Sequence, residues 1–543
     1  MGRKLRGGWM QAALAVGAMA ILSELAGAAA PPREKLNVVF ILIDDLGWTD
    51  VGCFGSDLYE TPHVDRLARE GVRFTNAYSA CTVCSPTRAA VMTGRYPARL
   101  HVTDWIAGHD RPYAKLRIPD WTKHLPLKEV TIAEALKPAG YATGHVGKWH
   151  LGNRGHWPTD QGFDWNVAGY EAGQPPSYYW PYQRGGRGIP TLELTPETEG
   201  WHLGNRLALE AANFIRANRD RPFFLYLPTY EVHTPIEPKK EYVPKFEARV
   251  KPGMKHTNPR YAALVYGMDA IVAKVLQALD EVGIADRTVV FFTSDNGGLS
   301  HINGVKQGPT DNTPLRAGKG SAYEGGVRVP LVVRWPGVVE PGTVCHEPVL
   351  SIDYFPTILE MTGAQGGAEP KAESDAQGKA EVDGESIVPL LKNPQATLAR
   401  DAIYWHYPHY HPGGATPYGA IRAGDWKLIE FYEDMHVELY NLREDLGEKN
   451  DLASKMPQKA RQLRDRLHTW RTAVGAQMPS ANPAYDPEKD RPKRAAKAKP
   501  PLSLKRIGDA AEIGDFELLG SRGRSDAEPL KKHFGIGGEL TER

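Results

Sequence analysis

Cysteine and net charge are both scarce in this chain of 543 residues. Four cysteines are too few for a disulfide framework in a chain of this length, so we expect no essential disulfide network. Lysine and arginine total 66 and aspartate and glutamate total 65, which leaves a formal net charge of +1. This balance offers no whole-molecule attraction for nucleic acid or for a membrane surface, and we expect no nucleic-acid partner.

Long apolar runs are also missing, except at the N-terminus. The first residues are basic, residues 10–22 are small or apolar, and residues 26–30 contain A-x-A cleavage patterns. This order is typical of a secretory signal peptide, which we place at residues 1–30; a buried core helix is the alternative interpretation. The protein is therefore expected to be exported, either to the periplasm or as a secreted protein, with no transmembrane segment in the mature chain.

Strand and helix patterns alternate from residue 36 to about residue 363. Continuous apolar runs indicate strands that are buried on both faces, and amphipathic segments between them indicate helices. The predicted strands are 36–43, 222–228, 288–294 and 329–335, and the predicted helices lie within 125–139 and at 205–219, 261–282 and 355–363. This alternation predicts an α/β sandwich with a mostly parallel central sheet, which we assign to residues 31–400.

The composition changes towards the end of this region. Residues 363–382 are rich in Gly, Ala, Glu and Lys, so we expect a solvated, mobile insertion. Residues 401–480 are predicted to form a smaller C-terminal α+β subdomain with an antiparallel sheet. The patterns behind this prediction are strands at 420–432 and 436–442 and a helix at 455–475. Residues 481–543 contain a basic, proline-containing stretch and are expected to be a disordered tail, with polyanion binding as the alternative.

The ends of two predicted strands carry pairs of polar residues. Asp44 and Asp45 directly follow one strand, and Asp295 and Asn296 directly follow another. Ligands bind beyond the carboxyl ends of parallel strands, and consecutive carboxylates repel each other unless a cation lies between them. Oxygen ligands of this kind suit Ca²⁺ or Mg²⁺ rather than zinc. Two unrelated loop caps are the alternative interpretation.

A third pattern begins at Cys84, in the segment CSPTRAAVMTGR. Pro86 favours the first turn of a helix and Gly94 favours its end, which places Cys84 at a helix N-terminus, where the backbone favours negative charge. Arg88 lies one turn further on and can face the same spot. A nucleophile beside an anion-binding site fits transfer of a sulfuryl or phosphoryl group. A capped surface helix with a buried thiol is the alternative.

These segments together resemble the formylglycine-dependent type I sulfatases, the arylsulfatase family of the alkaline phosphatase superfamily. CSPTR followed by TGR matches the family signature C-x-P-x-R, and further similar segments follow in the expected order. They are DDLGWTDVGCFG (44–55), TPHVDRLAREGVRFTNAY (61–78), GKWHLG (147–152), HTP (233–235), SDNGG (294–298) and GKGSAYEGGVRVP (318–330). The resemblance covers about residues 36 to 450 and implies an alkaline-phosphatase-like fold and hydrolysis of sulfate esters.

The resemblance also implies roles for individual residues. Cys84 is then oxidised to formylglycine by a maturation enzyme, and Arg88 holds the hydrate of that aldehyde. The implied ligands of a Ca²⁺ ion, with Mg²⁺ as the less favoured ion, are Asp44, Asp45, Cys84, Asp295 and Asn296. The residues implied to contact the sulfate, the nucleophile or the leaving oxygen are Lys148, His150, His233 and Lys319.

The implied reaction uses both hydroxyls of the hydrated aldehyde. One attacks sulfur with Asp295 as the neighbouring base, while His233 protonates the leaving alcohol. His150 then takes the proton of the second hydroxyl, which expels sulfate. The nearest alternative is a phosphoesterase or phosphonate hydrolase of the same superfamily, but those enzymes supply a histidine ligand where this chain has Asn296. A non-catalytic glycan-binding relative is the other alternative.

Three segments rich in aromatic residues and histidine are candidates for a sugar-binding surface: 101–112, 173–182 and 405–414. Aromatic rings can stack on sugar rings while polar tips bind hydroxyls. Packed loops are the alternative. Since the pattern resembles exported bacterial enzymes that desulfate polysaccharides, we expect a sulfated carbohydrate or an aryl sulfate as substrate, with 4-O-sulfated galactose or N-acetylgalactosamine as the first choice.

Overall fold

The computed structural model describes residues 35–364 and 382–490. The predicted signal peptide lies outside these residues, as do most of the predicted insertion at 363–382 and residues 491–543 of the tail predicted at 481–543. These three assignments, and the domain boundaries that accompany them, stay predictions.

Residues 481–490 of the predicted tail are ordered: Asn482 Nδ2 donates to the Ala114 carbonyl oxygen at 2.7 Å, and Arg111 pairs with Asp490 at 2.7 Å. The disorder predicted for these ten residues is therefore wrong.

A central sheet of eight strands organises the first part of the chain. Its strands, from one edge to the other, are Thr343–Cys345, Val72–Phe74, Leu331–Arg334, Thr288–Ser294, Asn37–Ile43, Phe223–Pro228, Ala142–Val146 and Trp165–Val167. Of these eight, Leu331–Arg334 is the one strand that runs antiparallel to its neighbours. The prediction of a mostly parallel central sheet is confirmed.

The sheet is buried on both faces because its central strands are apolar at almost every position. Val39 and Ile41 contribute to one core, while Val38 and Phe40 contribute to the other, as the two-residue period of a strand requires. The helices on the first face are Pro62–Glu70, Leu203–Ala217, Val243–Glu247 and Pro259–Glu281. The helices on the second face are Cys84–Thr93, Ile132–Leu136, Tyr354–Thr362 and Val388–Lys392. This is the sandwich that the sequence predicts.

The helix predicted within 125–139 is shorter in the structure, where it spans Ile132–Leu136. The helix begins at Ile132 because Thr131 caps it: the Thr131 hydroxyl accepts a hydrogen bond from the Glu134 N–H at 3.2 Å. It ends at Leu136 and continues as a 3₁₀ turn that contains Pro138. Proline has no N–H with which to extend an α-helix.

The helix Pro259–Glu281 is, among the described helices, the one that is long and apolar enough to cross a membrane by length and composition. In this structure 72% of its most apolar window is buried. It packs on the central sheet and on the helix Leu203–Ala217, as a core helix does.

A second sheet of four antiparallel strands follows. Its strands, in spatial and chain order, are Ile403–Tyr407, Tyr418–Ala423, Trp426–Phe431 and Val437–Asn441. The helix Pro457–Ala473 packs on one face, and the other face packs against Tyr78, Val83 and Ala90, the last of which lies in the helix that begins at Cys84. The predicted C-terminal antiparallel sheet is confirmed, and it covers the segment that carries Cys84.

Candidate active site

Two neighbouring strands bring the polar pairs together. Asn37–Ile43 and Thr288–Ser294 are adjacent and parallel, with Ile43 opposite Ser294, so the residues after them meet at one edge of the sheet. The Asp45 N–H donates to Asp295 Oδ1 at 3.2 Å. Asp44, Asp45, Asp295 and Asn296 are all buried. The alternative of two unrelated loop caps is therefore wrong.

The helix Cys84–Thr93 places Cys84 at its first residue, as the sequence predicts, and ends at Gly94 with φ of +69°. All ten of its residues are buried, so it is not a surface helix. Cys84 Sγ lies 3.5 Å from Asp44 Oδ1 and 3.5 Å from Lys319 Nζ. Burial raises the pKa of the Cys84 thiol to about 12, so the unmodified side chain is neutral and a poor nucleophile at neutral pH.

Three carboxylates of the site face three cationic side chains. The pairs are Lys148 Nζ with Asp44 Oδ2 at 2.7 Å, Lys319 Nζ with Asp45 Oδ1 at 2.7 Å, and Arg88 Nη2 with Asp295 Oδ2 at 2.8 Å. Burial alone would raise the pKa of Asp45, but the neighbouring Lys319 and His233 hold it well below its usual range. Burial and the facing Asp44 carboxylate raise the pKa of Asp295 to about 6. Carboxylates that repel in this way favour a bound cation.

The donor set fits a divalent metal ion. Ligand atoms of Asp44, Asp45, Cys84 and His233 all lie within 4.8 Å of one another. Asn296 donates from Nδ2 to Asp45 Oδ1 at 2.8 Å, while its Oδ1 is buried without a hydrogen-bond partner in the described residues. Rotation of the Asn296 amide by half a turn exchanges its nitrogen and oxygen. The same side chain can therefore present its oxygen to a cation beside Asp45. The cluster also contains His233. The sequence prediction does not count His233 as a metal ligand and places it at the leaving oxygen.

The two histidines of the site are fixed as neutral rings with opposite orientations. His150 Nε2 donates to the Ile106 carbonyl oxygen, so Nδ1 carries no hydrogen, and this atom is buried without a partner among the described residues. His233 Nδ1 donates to the Thr234 carbonyl oxygen at 2.9 Å, and its Nε2 lies 3.2 Å from Lys319 Nζ. Burial, with Lys319 nearby, lowers the pKa of His233 to about 3.

Comparison with known proteins identifies the family. Residues 36–364 match the family model described as Sulfatase. A sulfatase from Formosa agariphila is 33% identical, over 81% of this chain and 89% of the relative. The chain belongs to the type I sulfatases of the alkaline phosphatase superfamily. It is therefore a sulfuric ester hydrolase, and its family implies formylglycine and a divalent metal.

Other matches extend over the whole described fold of this sulfatase. Residues 318–473 match the model described as N-sulphoglucosamine sulphohydrolase, C-terminal. An N-acetylgalactosamine-6-O-sulfatase from Bacteroides thetaiotaomicron is 30% identical over 81% of this chain and 94% of the relative. The solved structure of Ps i-CgsB in complex with k-i-k-neocarrahexaose has a TM-score of 0.65 and 29% identity, and covers 83% of this chain and 95% of that chain.

The three segments that the sequence marks as candidate sugar contacts each reach this site of the sulfatase. Ile106 accepts the hydrogen bond of His150, Gly173 lies against the His150 ring, and His411 lies against Gly320. Sequence reasoning marked these segments by composition but did not single out these three residues. Their contacts join parts of the chain that are far apart in sequence, and no local pattern indicates them.

Proposed function

We propose that this sulfatase removes sulfate from O-sulfated carbohydrates with formylglycine at position 84 and a bound Ca²⁺ ion, and releases inorganic sulfate. The observation that carries the proposal is the position of Cys84, at the first residue of a buried helix and 3.5 Å from both Asp44 and Lys319. A group at this point is surrounded by cations and by backbone N–H groups, which stabilise negative charge in a transition state.

The sequence around Cys84 supports conversion of this residue to formylglycine. Formylglycine, when present, supplies a nucleophilic hydroxyl from its hydrate and a second hydroxyl whose deprotonation releases sulfate. The C-x-P-x-R sequence at Cys84–Arg88 is the family's modification signature, so we include a formylglycine-generating maturation enzyme as a partner. Arg88 is held for its role by two contacts, with Asp295 and with the Lys148 carbonyl oxygen at 2.9 Å.

The carboxylate and amide oxygens of the site support the choice of a divalent ion. Three buried carboxylates and three buried cations cancel in formal charge. Ca²⁺, when bound by Asp44, Asp45, Asp295, Asn296 and the modified residue 84, supplies Lewis-acid charge at the sulfuryl oxygens. Lys148 and Lys319 no longer have to neutralise Asp44 and Asp45 alone, so their ammonium groups can turn to the sulfate.

The hydrogen bonds of the two histidines support separate proton-transfer roles. His150 keeps a lone pair on Nδ1, which suits it to accept the proton of the second hydroxyl. His233 is neutral before substrate binds and receives a hydrogen bond from Lys319 at Nε2. The negative sulfate group raises the pKa of an adjacent imidazole, so Nε2 becomes protonated and can donate to the leaving oxygen.

For the sugar, we propose galactose or N-acetylgalactosamine within a sulfated polysaccharide. Support comes from relatives that are named N-acetylgalactosamine-6-sulfatases and from the similar structure in complex with a neocarrahexaose. Our sequence prediction favours the 4-O-sulfate, whereas those relatives are named for the 6-O-sulfate. We further propose that the protein is exported, on the basis of its N-terminal sequence.

A panel of substrates tests the proposal. The protein is made in a host that contains the maturation enzyme and is assayed with nitrophenyl sulfate and with 4-O- and 6-O-sulfated galactose and N-acetylgalactosamine, with release of free sulfate as the readout. We expect turnover of nitrophenyl sulfate and of at least one sugar, and a loss of about 18 Da from the peptide that contains Cys84. Turnover of phosphate or phosphonate esters without turnover of any sulfate ester would contradict the proposal.

A further inference from the structure

His411 stands beside the catalytic cluster although it comes from the C-terminal part of the chain. Its ring packs on Gly320, in the volume that a Cβ at position 320 would fill. Gly320 has φ of +88°, a conformation that residues with a side chain rarely adopt, so glycine both makes the turn and admits the ring. Gly320 directly follows Lys319, whose Nζ lies 3.5 Å from Cys84 Sγ, and the charges of both Lys319 and Asp45 act on the pKa of His411, so His411 lies near the reacting position.

The ring of His411 has a defined tautomer. The Gly413 N–H donates to His411 Nδ1 at 2.9 Å, so Nδ1 is an acceptor and the ring hydrogen is on Nε2. Burial, with Lys319 nearby, lowers the pKa of His411 to about 3, which keeps the ring neutral. The site therefore gains a neutral N–H donor rather than a fourth cation.

This donor has no hydrogen-bond partner among the described residues. His411 is only 7% exposed, and no residue in 35–364 or 382–490 forms a hydrogen bond with its Nε2. Nε2 nevertheless remains in contact with solvent, so a small molecule can reach it. An acceptor on a bound ligand can replace the water that such a donor otherwise binds.

The loop around His411 is held rigidly. The His411 N–H donates to the Ala415 carbonyl oxygen at 3.0 Å, and the Gly414 N–H donates back to the His411 carbonyl oxygen at 2.9 Å. The Pro412 carbonyl oxygen accepts from the Asn303 N–H at 2.9 Å, which ties the loop to the catalytic part of the chain. The donor is therefore oriented before substrate binds.

We propose that His411 is a specificity-determining residue that donates a hydrogen bond from Nε2 to an oxygen of the sugar that carries the sulfate ester. This inference rests on the proposed carbohydrate substrate. Cationic side chains already face the position of the sulfuryl group. The neutral donor therefore binds the alcohol part of the substrate, which is the sugar. A sugar offers hydroxyl and ring oxygens near the sulfated carbon, whereas the ring of an aryl sulfate offers none there.

Two substitutions separate the donor from the shape of the ring. His411→Phe keeps a flat ring on Gly320 and removes Nε2–H, while His411→Gln keeps an N–H donor at a similar distance from the backbone. For the sugar sulfate that the wild type turns over best, we expect kcat/KM to fall about tenfold in His411→Phe, mainly through KM, and to recover most of this loss in His411→Gln. Hydrolysis of nitrophenyl sulfate should fall much less.

His436→Gln is the matched control, because His436 is an exposed histidine of the same subdomain that pairs with Asp434, and it should leave both activities unchanged. Equal losses on both substrates in His411→Phe, or no loss on the sugar sulfate, would overturn the inference. A wild-type enzyme that turns over nitrophenyl sulfate and no sugar sulfate would overturn the carbohydrate proposal and this inference with it. Sugar turnover without the predicted difference overturns the role of His411 alone.

Discussion

Lys427→Met tests how the C-terminal sheet holds the segment that carries Lys319. Lys427 Nζ lies 2.8 Å from Glu324 Oε1 and 2.9 Å from Glu448 Oε1, and all three side chains are fully buried. Glu324 belongs to the segment GKGSAYEGGVRVP, a few residues after Lys319. The ammonium therefore joins the second sheet to the wall of the active site.

Removal of the ammonium leaves the two carboxylates with unequal numbers of hydrogen-bond donors. Glu324 keeps hydrogen bonds from Arg328 Nε at 2.7 Å and Tyr78 OH at 2.8 Å. Glu448 keeps only the Glu324 N–H at 2.7 Å and has no second cation in contact among the described residues. Removal of one member of a buried ion pair costs about 3–5 kcal/mol. Glu448 can escape part of this cost by taking up a proton, so we expect a loss of about 3 kcal/mol at pH 8.

The pH dependence follows from Glu448. Burial already raises its pKa to about 7 in the presence of Lys427, and loss of the lysine raises this pKa further. The folded variant then binds one proton more than the unfolded chain between the ordinary pKa of glutamate and the raised value. Stability falls as pH rises through that window, so the loss should be larger at pH 8 than at pH 6.

The measurement is the free energy of unfolding of the wild type and the variant in guanidinium chloride at both pH values. Lys449→Met is the matched control, since Lys449 is an exposed lysine next to Glu448 in the chain, and it should change stability little. Addition of Glu448→Gln to Lys427→Met should restore part of the loss, because it removes the unpaired charge. A loss below about 1 kcal/mol, or one that is equal at pH 6 and pH 8, would refute this account of the network.

Three further predictions concern catalysis. Cys84→Ala should abolish turnover while the circular dichroism spectrum stays unchanged; activity in this variant would contradict the formylglycine mechanism. Chelation should inactivate the enzyme and Ca²⁺ should restore it better than Zn²⁺, while Asp45→Asn should raise the Ca²⁺ concentration that half-restores activity, because hard oxygen ligands hold the ion. His233→Ala should lower kcat about 10²–10⁴-fold more for a sugar sulfate than for nitrophenyl sulfate, because the sugar alkoxide needs a proton to leave. Lys319→Ala should lower both rates similarly, and equal losses in His233→Ala would remove the general-acid role.

The strands that position the metal ligands could be predicted because they are buried on both faces. Asn37–Ile43 and Thr288–Ser294 each present a continuous apolar run that ends in acidic residues. Ala142–Val146 lies in the same sheet but was missed, since Thr, Gly and His interrupt its sequence and its burial depends on neighbours far along the chain. His411 could not be predicted as a site residue for the same reason, because its place beside Gly320 depends on the packing of the second sheet.

The second sheet and the loop between its first two strands contact the segment after Asn312 at three separate points. Arg316 Nη1 donates to Tyr440 OH at 2.9 Å, Glu324 binds Lys427, and His411 fills the space above Gly320. Lys319 lies between these points and contacts both Asp45 and position 84. Since a lysine side chain is flexible, its ammonium can hold this position only if its backbone is fixed. The antiparallel sheet therefore acts on the chemistry through the backbone of Lys319 as well as through the hydrogen bond that we assign to His411.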